Sequence, residues 1–297
     1  MKPKFWLNLA IIFTMLFSTV MSMSTFTVAA QEDSPMEYEI YPLPQDITYH
    51  EGSLTLDKTI QVIYDNTIDS VTRKKVDTIF KQNGYSAPAI GTEPADDKIN
   101  ILVGTKGSKG PVDSYAAANV NSEGNDFSKI DAYQLDIQEN TITILGKDTD
   151  ASFYGVVTLN AILEQAPDKV VRHLTINDYA NTEIRGFIEG YYGIPWSNED
   201  RMSLMEFGGQ FKATSYVFAP KDDPYHREKW GEPYPDEKLA EIGEMAQVGN
   251  ETKTRFVWTI SPLGRSGSYR SNPRSTSRHG FTSGKHRKNA GKIRSII

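Results

Sequence analysis

The chain has 297 residues, of which 38% are hydrophobic and 24% are charged, and its formal net charge is −6. This composition is that of a globular protein with about two domains, and it excludes a chain that is disordered throughout. The five histidines show no HExxH-type spacing, and neither a GxxxxGKS/T run nor a strand-linked GxGxxG is present, so we expect no metal site and no cofactor.

The first 30 residues have the pattern of a secretory signal peptide. Lys2 and Lys4 precede an apolar run over residues 5–20, and a run of small residues ends at Ala30, just before Gln31. An uncleaved membrane anchor is the alternative, but polar residues interrupt the apolar run, which favours cleavage. Because the chain lacks cysteine, no disulfide contributes to its stability. We therefore expect a secreted protein that is cleaved after Ala30 and has no further contact with a membrane.

Residues 31–180 alternate strand and helix signals. Short β-rich runs cover residues 59–64, 99–103, 133–138 and 141–146, helical apolar spacing covers 70–81 and 151–164, and a closing strand covers 170–177. Glu139 and Asn140 predict a tight hairpin between two of these strands. The segments 91–97 and 106–129 are rich in Gly, Ser, Pro and Asp, so we expect mobile surface loops there. This part is predicted to be a small α+β domain.

Residues 181–262 show a strand, helix, strand, helix, strand order that predicts a parallel sheet. The strands are expected at 184–189, 215–219 and 255–260, the helices at 197–212 and 236–251, and a linker at 178–183. Ser197 and, three residues later, Asp200 predict a capping box, and Asp236 is expected to cap the second helix. The loops at 189–196 and 220–235 follow the carboxyl ends of parallel strands, where ligands bind in α/β folds.

Those two loops carry unusual motifs. The runs EGYYGIPW and APKDDPYHREKW resemble the start of the catalytic barrel in glycoside hydrolase family 84, the β-N-acetylglucosaminidases that include bacterial hyaluronidases and O-GlcNAc hydrolases. The resemblance covers about residues 37–262. It implies an α/β fold in which a small α+β N-terminal domain, without a catalytic group, precedes the first part of a (β/α)8 TIM barrel that is incomplete in this chain.

The resemblance also implies two sugar contacts. In the family, the glycine of the EG pair presents its backbone carbonyl to the sugar, and the lysine of the APKDD run donates to a sugar hydroxyl; these positions match Gly190 and Lys221. The alternative for Lys221 is a salt bridge to a neighbouring aspartate, but an ammonium with three donors also suits a vicinal diol. The implied partners are glycans or glycoproteins that contain N-acetylglucosamine, and not nucleic acid.

The reaction of the family requires carboxyl groups, and their presence or absence decides whether this chain can be active. Glycoside hydrolysis normally uses two carboxyl groups. The resemblance implies a substrate-assisted, retaining exception, in which the 2-acetamido oxygen attacks and an adjacent aspartate pair beyond the third strand orients it and transfers the proton. We expect this pair to be absent, so that no catalytic residue lies in this chain. The expected function is that of a secreted β-N-acetylglucosaminidase by family, inactive as this chain alone; the alternative is an inactive glycan-binding remnant with a basic tail.

An adjacent carboxylate pair, Asp222 and Asp223, follows the second barrel strand and is the obvious substitute for the catalytic pair. In the family, however, the APKDD aspartates occur in addition to the catalytic pair. We therefore expect these two to be structural and to brace their loop through Arg227 or Lys229.

Glu189 is a second candidate acid, because it lies at a strand end. A buried pairing with Arg185 or Lys221 is the favoured interpretation. Four aromatic residues near this edge can stack on sugar faces or pack among themselves, and packing is the commoner arrangement. They are Tyr191, Tyr192, Trp196 and Trp230.

Residues 263–297 differ from the rest of the chain. They hold nine Lys and Arg and no Asp or Glu, and they show no apolar period of 2 or 3.6. One interpretation is a basic tail for polyanionic glycans or nucleic acid. The favoured one is that a frameshift has replaced the true sequence, so we expect an aberrant, disordered segment.

Overall fold

The computed structural model describes residues 37–190 and 194–259. The predicted signal peptide, the basic segment 263–297, Tyr191 and Tyr192 lie outside the described residues. No helix of the described part is both long enough and apolar enough to cross a bilayer.

The first part of the fold is a seven-stranded mixed sheet. Its strands are β1 (Asp46–Thr55), β2 (Ile60–Tyr64), β3 (Ala89–Ile90), β4 (Ile99–Thr105), β5 (Ile130–Gln138), β6 (Thr141–Gly146) and β7 (Val170–Ala180). They lie in the order β1-β7-β5-β6-β4-β2-β3. Strands β2, β3, β4 and β6 are parallel, whereas the pairs β6/β5, β5/β7 and β7/β1 are antiparallel.

Helices cover both faces of this sheet. They are α1 (Ser70–Gln82), α2 (Pro111–Asn119) and α3 (Thr149–Glu164). Helix α2 buries Val112 and Ala116 against Leu102 and Leu145 on one face. On the other face α3 packs so closely that a Cβ added at Gly155 would lie 2.5 Å from an Ile144 methyl carbon. The predicted α+β layers, with their helices and central strands, are therefore confirmed.

Helix α2 and strand β1 correct the sequence prediction. Residues 106–129 were expected to be a mobile loop, but they contain α2, and β1 was not predicted at all. The start of α2 is held by Asp65, whose carboxylate accepts from the Val112 amide at 2.9 Å and from the Ser108 hydroxyl at 2.7 Å. Because this cap is a single residue more than 40 positions earlier in the chain, no local signal reveals it.

The second part of the fold is a three-stranded parallel sheet with two helices. Its elements are β8 (Gly186–Glu189), α4 (Asn198–Gln210), β9 (Ser215–Phe218), α5 (Asp236–Glu251) and β10 (Arg255–Trp258), in the sheet order β10-β9-β8. Ser197 caps α4 and forms the predicted capping box with Asp200. The N-cap of α5 is Pro235, so Asp236 lies in the first turn and is not the cap that we predicted, although its charge still suits that end of the helix.

The two faces of this sheet differ. The helix side is covered by a core that includes Tyr216, Phe256 and Met245. On the opposite face, register places Ile188, Val217 and Val257 in one row, and Ile188 is 72% exposed. Inward-facing rows of this kind line the interior of a (β/α)8 barrel, so the sheet has the form of the first three strands of one.

Ion pairs join the seven-stranded sheet and its helices to the amino edge of the three-stranded sheet. Arg185, Lys212 and Lys253 each lie just before a barrel strand, and each pairs with aspartates of the first part at 2.6 to 2.8 Å. Those aspartates are Asp131, Asp178, Asp69 and Asp150. The carboxyl edge of the three strands therefore remains clear of these contacts.

Candidate functional site

Gly190 and Lys221, which are predicted to contact a sugar, both lie at the carboxyl edge of the three-stranded sheet. Register aligns Glu189, Phe218 and Trp258, so the three strands end level with one another. Gly190 directly follows β8, and Lys221 lies three residues beyond the end of β9. We call the segment 219–235, which contains Lys221, the Lys221 loop. Strand pairing therefore fixes the starting points of both motif loops at one edge.

Lys221 is partly buried and lines an open cavity of about 310 Å³ with Asp222, Asp223, Arg227 and Glu228. None of the ion pairs in the described residues involves Lys221. The salt bridge to a neighbouring aspartate, which was the alternative for this lysine, is thus not formed within the described part of the chain. Within residues 37–190 and 194–259, no carboxylate forms an ion pair with this ammonium group.

Glu189 is buried, as predicted, but its partner is Arg201 on α4, whereas we predicted Arg185 or Lys221. The guanidinium donates two hydrogen bonds to the carboxylate, at 2.7 and 2.8 Å, and the Tyr216 hydroxyl donates a third at 2.5 Å. Burial raises the pKa of Tyr216, and its bond to Glu189 raises it further. Burial by itself would lower the pKa of Arg201, but the Glu189 carboxylate raises it above its ordinary value. The carboxylate is thus fully engaged in structural contacts.

Asp223 is held by tyrosines, where we expected Arg227 or Lys229. Its carboxylate accepts from the Tyr225 amide at 2.8 Å and from the Tyr234 hydroxyl at 2.7 Å. Burial raises the pKa of Tyr234, so this hydroxyl keeps its proton and donates. These contacts close the Lys221 loop on itself and give Asp223 the bracing role that the sequence suggested. Asp222 is exposed.

Comparisons with known proteins place this geometry in a family. Residues 185–282 match the family model described as beta-N-acetylglucosaminidase, and residues 37–179 match the model described as glycosyl hydrolase family 20, domain 2. The solved structure described as CpGH84D matches 88% of this chain with a TM-score of 0.75 at 42% sequence identity. The chain is related to the family 84 β-N-acetylglucosaminidases. The predicted family and fold class are therefore confirmed.

Other relatives agree with this relation and show how much of each protein is matched. The structure described as CpGH84B matches 88% of this chain with a TM-score of 0.69 at 25% identity. The rat Protein O-GlcNAcase is 35% identical over 77 residues, which is 26% of this chain and 8% of that protein. A Vibrio vulnificus Beta-hexosaminidase is 26% identical over 147 residues, half of this chain and 14% of the relative. The chain covers 42% of each of the two solved chains.

The family match also extends along the chain beyond the described residues. It continues to residue 282, whereas the motif resemblance ends at about residue 262. The relation to family 84 is therefore not limited to the residues before the basic segment.

The aromatic residues that pack beneath the motif loops differ from the four that the sequence analysis named. Tyr225 and Tyr234 pack with ring centroids 4.7 Å apart, and Trp258 meets Tyr234 edge-on at 6.0 Å. Trp196 is 41% exposed at the edge, and Trp230 is partly buried. Packing supports the Lys221 loop through residues of the loop itself and of β10.

His226 was missed by the sequence analysis. Its side chain is 2% exposed in the middle of the Lys221 loop, and its Nδ1 lies 3.1 Å from the Thr259 carbonyl oxygen. Its Nε2 is buried and has no hydrogen-bond partner among the residues that the structure describes. The available signal was a single histidine inside the APKDDPYHREKW run, which by itself does not distinguish a buried residue from an exposed one.

A metal centre is not formed by the described residues, which contain no group of three or more His, Cys, Asp or Glu that could hold an ion. The edge instead offers a backbone carbonyl at Gly190 and an ammonium at Lys221. This combination can accept from one sugar hydroxyl and donate to others.

Proposed function

We propose that this protein is a secreted β-N-acetylglucosaminidase that removes terminal β-linked N-acetylglucosamine from glycans or glycoproteins with retention of configuration. The observation that carries the proposal is the position of Lys221. Lys221 belongs to the APKDD motif of the family and follows the carboxyl end of a parallel strand. It also lines an open cavity, and its ammonium forms no ion pair among the described residues. In this proposal Lys221 donates to a sugar hydroxyl and the Gly190 carbonyl accepts from one.

The acid and the group that orients the acetamido oxygen are not assigned to any described residue. Glu189 is held in its buried contacts with Arg201 and Tyr216, and Asp223 is held by Tyr225 and Tyr234. These engaged carboxylates support a second proposal for the chain as given, which is that it binds glycans without hydrolysing them. In that case the basic residues of the segment 263–297 would add attraction for anionic glycans.

Binding is tested by titrating N-acetylglucosamine into the full chain and comparing Lys221→Ala with Lys229→Ala. Lys229 lies on the same loop but is exposed and faces the Tyr225 ring at 5.7 Å, which makes it a matched control. A charge-assisted hydrogen bond contributes about 1.5–3 kcal/mol, so Lys221→Ala should weaken binding by roughly 10-fold to 150-fold. Equal affinities of the two variants would refute the sugar contact.

Hydrolysis is tested with the same chain and a chromogenic aryl N-acetyl-β-glucosaminide. The glycan-binding proposal expects no release, and the enzyme proposal expects release that Lys221→Ala reduces. Turnover that is abolished by Asp222→Asn would show that the APKDD aspartates form the catalytic pair after all.

Secretion is tested separately. Mass spectrometry of exported material should show a chain that begins at Gln31. A chain that retains its first 30 residues in the membrane fraction would contradict the secretory part of the proposal.

A further inference from the structure

We propose that His226 is a positioning residue, which fastens the Lys221 loop to the end of β10 and thereby fixes the ammonium group of Lys221 for a sugar hydroxyl. The inference deepens the proposed function and rests on it, because sugar contact at Lys221 is part of that function. It concerns a side chain that lies beneath the loop and does not itself reach the open cavity beside Lys221.

The first step is the link between His226 and the strands. Its Nδ1 lies 3.1 Å from the Thr259 carbonyl oxygen, which can only accept, so Nδ1 carries the hydrogen and donates. Thr259 in turn donates to the Phe218 carbonyl through its hydroxyl at 2.7 Å and its amide at 3.3 Å. The imidazole is therefore tied to the ends of β9 and β10 together.

The second step is the link between His226 and Lys221. The His226 amide donates to the Asp223 carbonyl at 3.1 Å, and the Asp223 amide donates to the Pro220 carbonyl at 3.3 Å. Lys221 lies between Pro220 and Asp223, inside this pair of turns. A displacement of the imidazole from Thr259 consequently moves the turns that carry the lysine.

The third step is the reason why a histidine, and not an aromatic hydrocarbon, occupies this buried position. With Nδ1 as the donor to Thr259, Nε2 is the remaining polar atom of the ring, and it is buried without a partner among the described residues. An unpaired buried polar atom destabilises the folded chain, and an aromatic hydrocarbon of similar size would avoid that cost. The contact that such a residue cannot make is the hydrogen bond to Thr259, so this bond is the feature that distinguishes histidine here.

The test uses three variants of the full chain and N-acetylglucosamine as the probe. His226→Asn keeps an N–H donor near the position of Nδ1, His226→Gln moves the donor toward Nε2, and His226→Phe keeps a ring without a donor. We expect His226→Asn to bind within about twofold of the wild type, and the other two to bind roughly tenfold more weakly. Equal affinity for all three variants would overturn the proposal, as would a loss for His226→Asn equal to that for His226→Phe.

Two further measurements do not depend on sugar binding. Nitrogen NMR of the imidazole should show a proton on Nδ1. Amide exchange at Lys229, which donates to the Pro224 carbonyl at 2.7 Å, should be faster in His226→Gln than in His226→Asn. A ring without a proton on Nδ1 would overturn the link to Thr259. If the wild-type chain does not bind the sugar while these two results hold, the proposed function fails, and with it the positioning role, but the attachment of the loop stands.

Discussion

The buried pair of Glu189 and Arg201 predicts a large loss of stability when one partner is removed. The side chains are 1% and 8% exposed, so solvent does not screen the charge that remains. Arg201→Met leaves the Glu189 carboxylate buried with one neutral donor, the Tyr216 hydroxyl. Breaking a buried pair in this way costs about 3–5 kcal/mol, and we expect the free energy of unfolding to fall by that amount.

A second substitution separates the lost charge pair from lost packing. Adding Glu189→Leu to Arg201→Met removes the unpaired charge, so the double variant should recover part of the loss. The Tyr216 hydroxyl then lacks its acceptor, which retains a cost of about 1–3 kcal/mol. The double variant is therefore expected between the single variant and the wild type.

The assay is urea unfolding of the full chain, followed by tryptophan fluorescence. Three of the four tryptophans, Trp196, Trp230 and Trp258, lie in the barrel part and report on it. Lys74→Met is the control, because the Lys74–Glu251 pair is exposed and should contribute no more than about 1 kcal/mol. A loss below about 1 kcal/mol for Arg201→Met, or a double variant less stable than the single one, would refute the reasoning.

Two further predictions concern the cap of α4 and the ion pairs at the amino edge. Ser197→Ala should lower the free energy of unfolding by about 0.5–2 kcal/mol, whereas Ser203→Ala, on the exposed face of the same helix, should not; equal effects would contradict the capping box. Burial lowers the pKa of Lys253, but its bonds to Asp150 and Asp69 outweigh this and raise the pKa above 10.5. Its stabilisation is therefore complete below pH 10.5 and is lost as the pH rises through the higher folded-state value. Urea unfolding across this range should show that the free energies of unfolding of the wild type and of Lys253→Met converge at high pH. A difference that stays constant with pH would contradict the raised pKa of Lys253.

The elements of the barrel part could be predicted because their signals are local. The capping box of Ser197 and Asp200 is contained in four residues, and the alternation of short apolar runs with helix-length segments gives the parallel order. Helix α2 could not be predicted in the same way. Its buried residues are few and small, and its start is capped by Asp65, which belongs to the turn after β2.

The chemistry of the site was less accessible to sequence reasoning than its location. Motif positions indicated the edge, but the partner of Glu189 depends on which residue of α4 faces β8. Arg201 lies one helical turn after the Ser197 cap, on the side that packs against the sheet. Sequence distance favoured Arg185, and membership of a motif favoured Lys221, so neither signal pointed to Arg201. His226 is a comparable case, because its burial depends on Thr259, which is 33 residues later in the chain.

The ion pairs at the amino edge of the barrel strands have a consequence for protein engineering. A chimera that replaces residues 219–235 with the corresponding loop of a relative keeps the cations of these pairs, which are Arg185, Lys212, Lys253 and Arg255. Grafting experiments aimed at new glycan preferences can thus be confined to the carboxyl edge. Exchange of the small domain, by contrast, succeeds only if the donor domain brings equivalents of the four aspartates that receive these cations. They are Asp69, Asp131, Asp150 and Asp178.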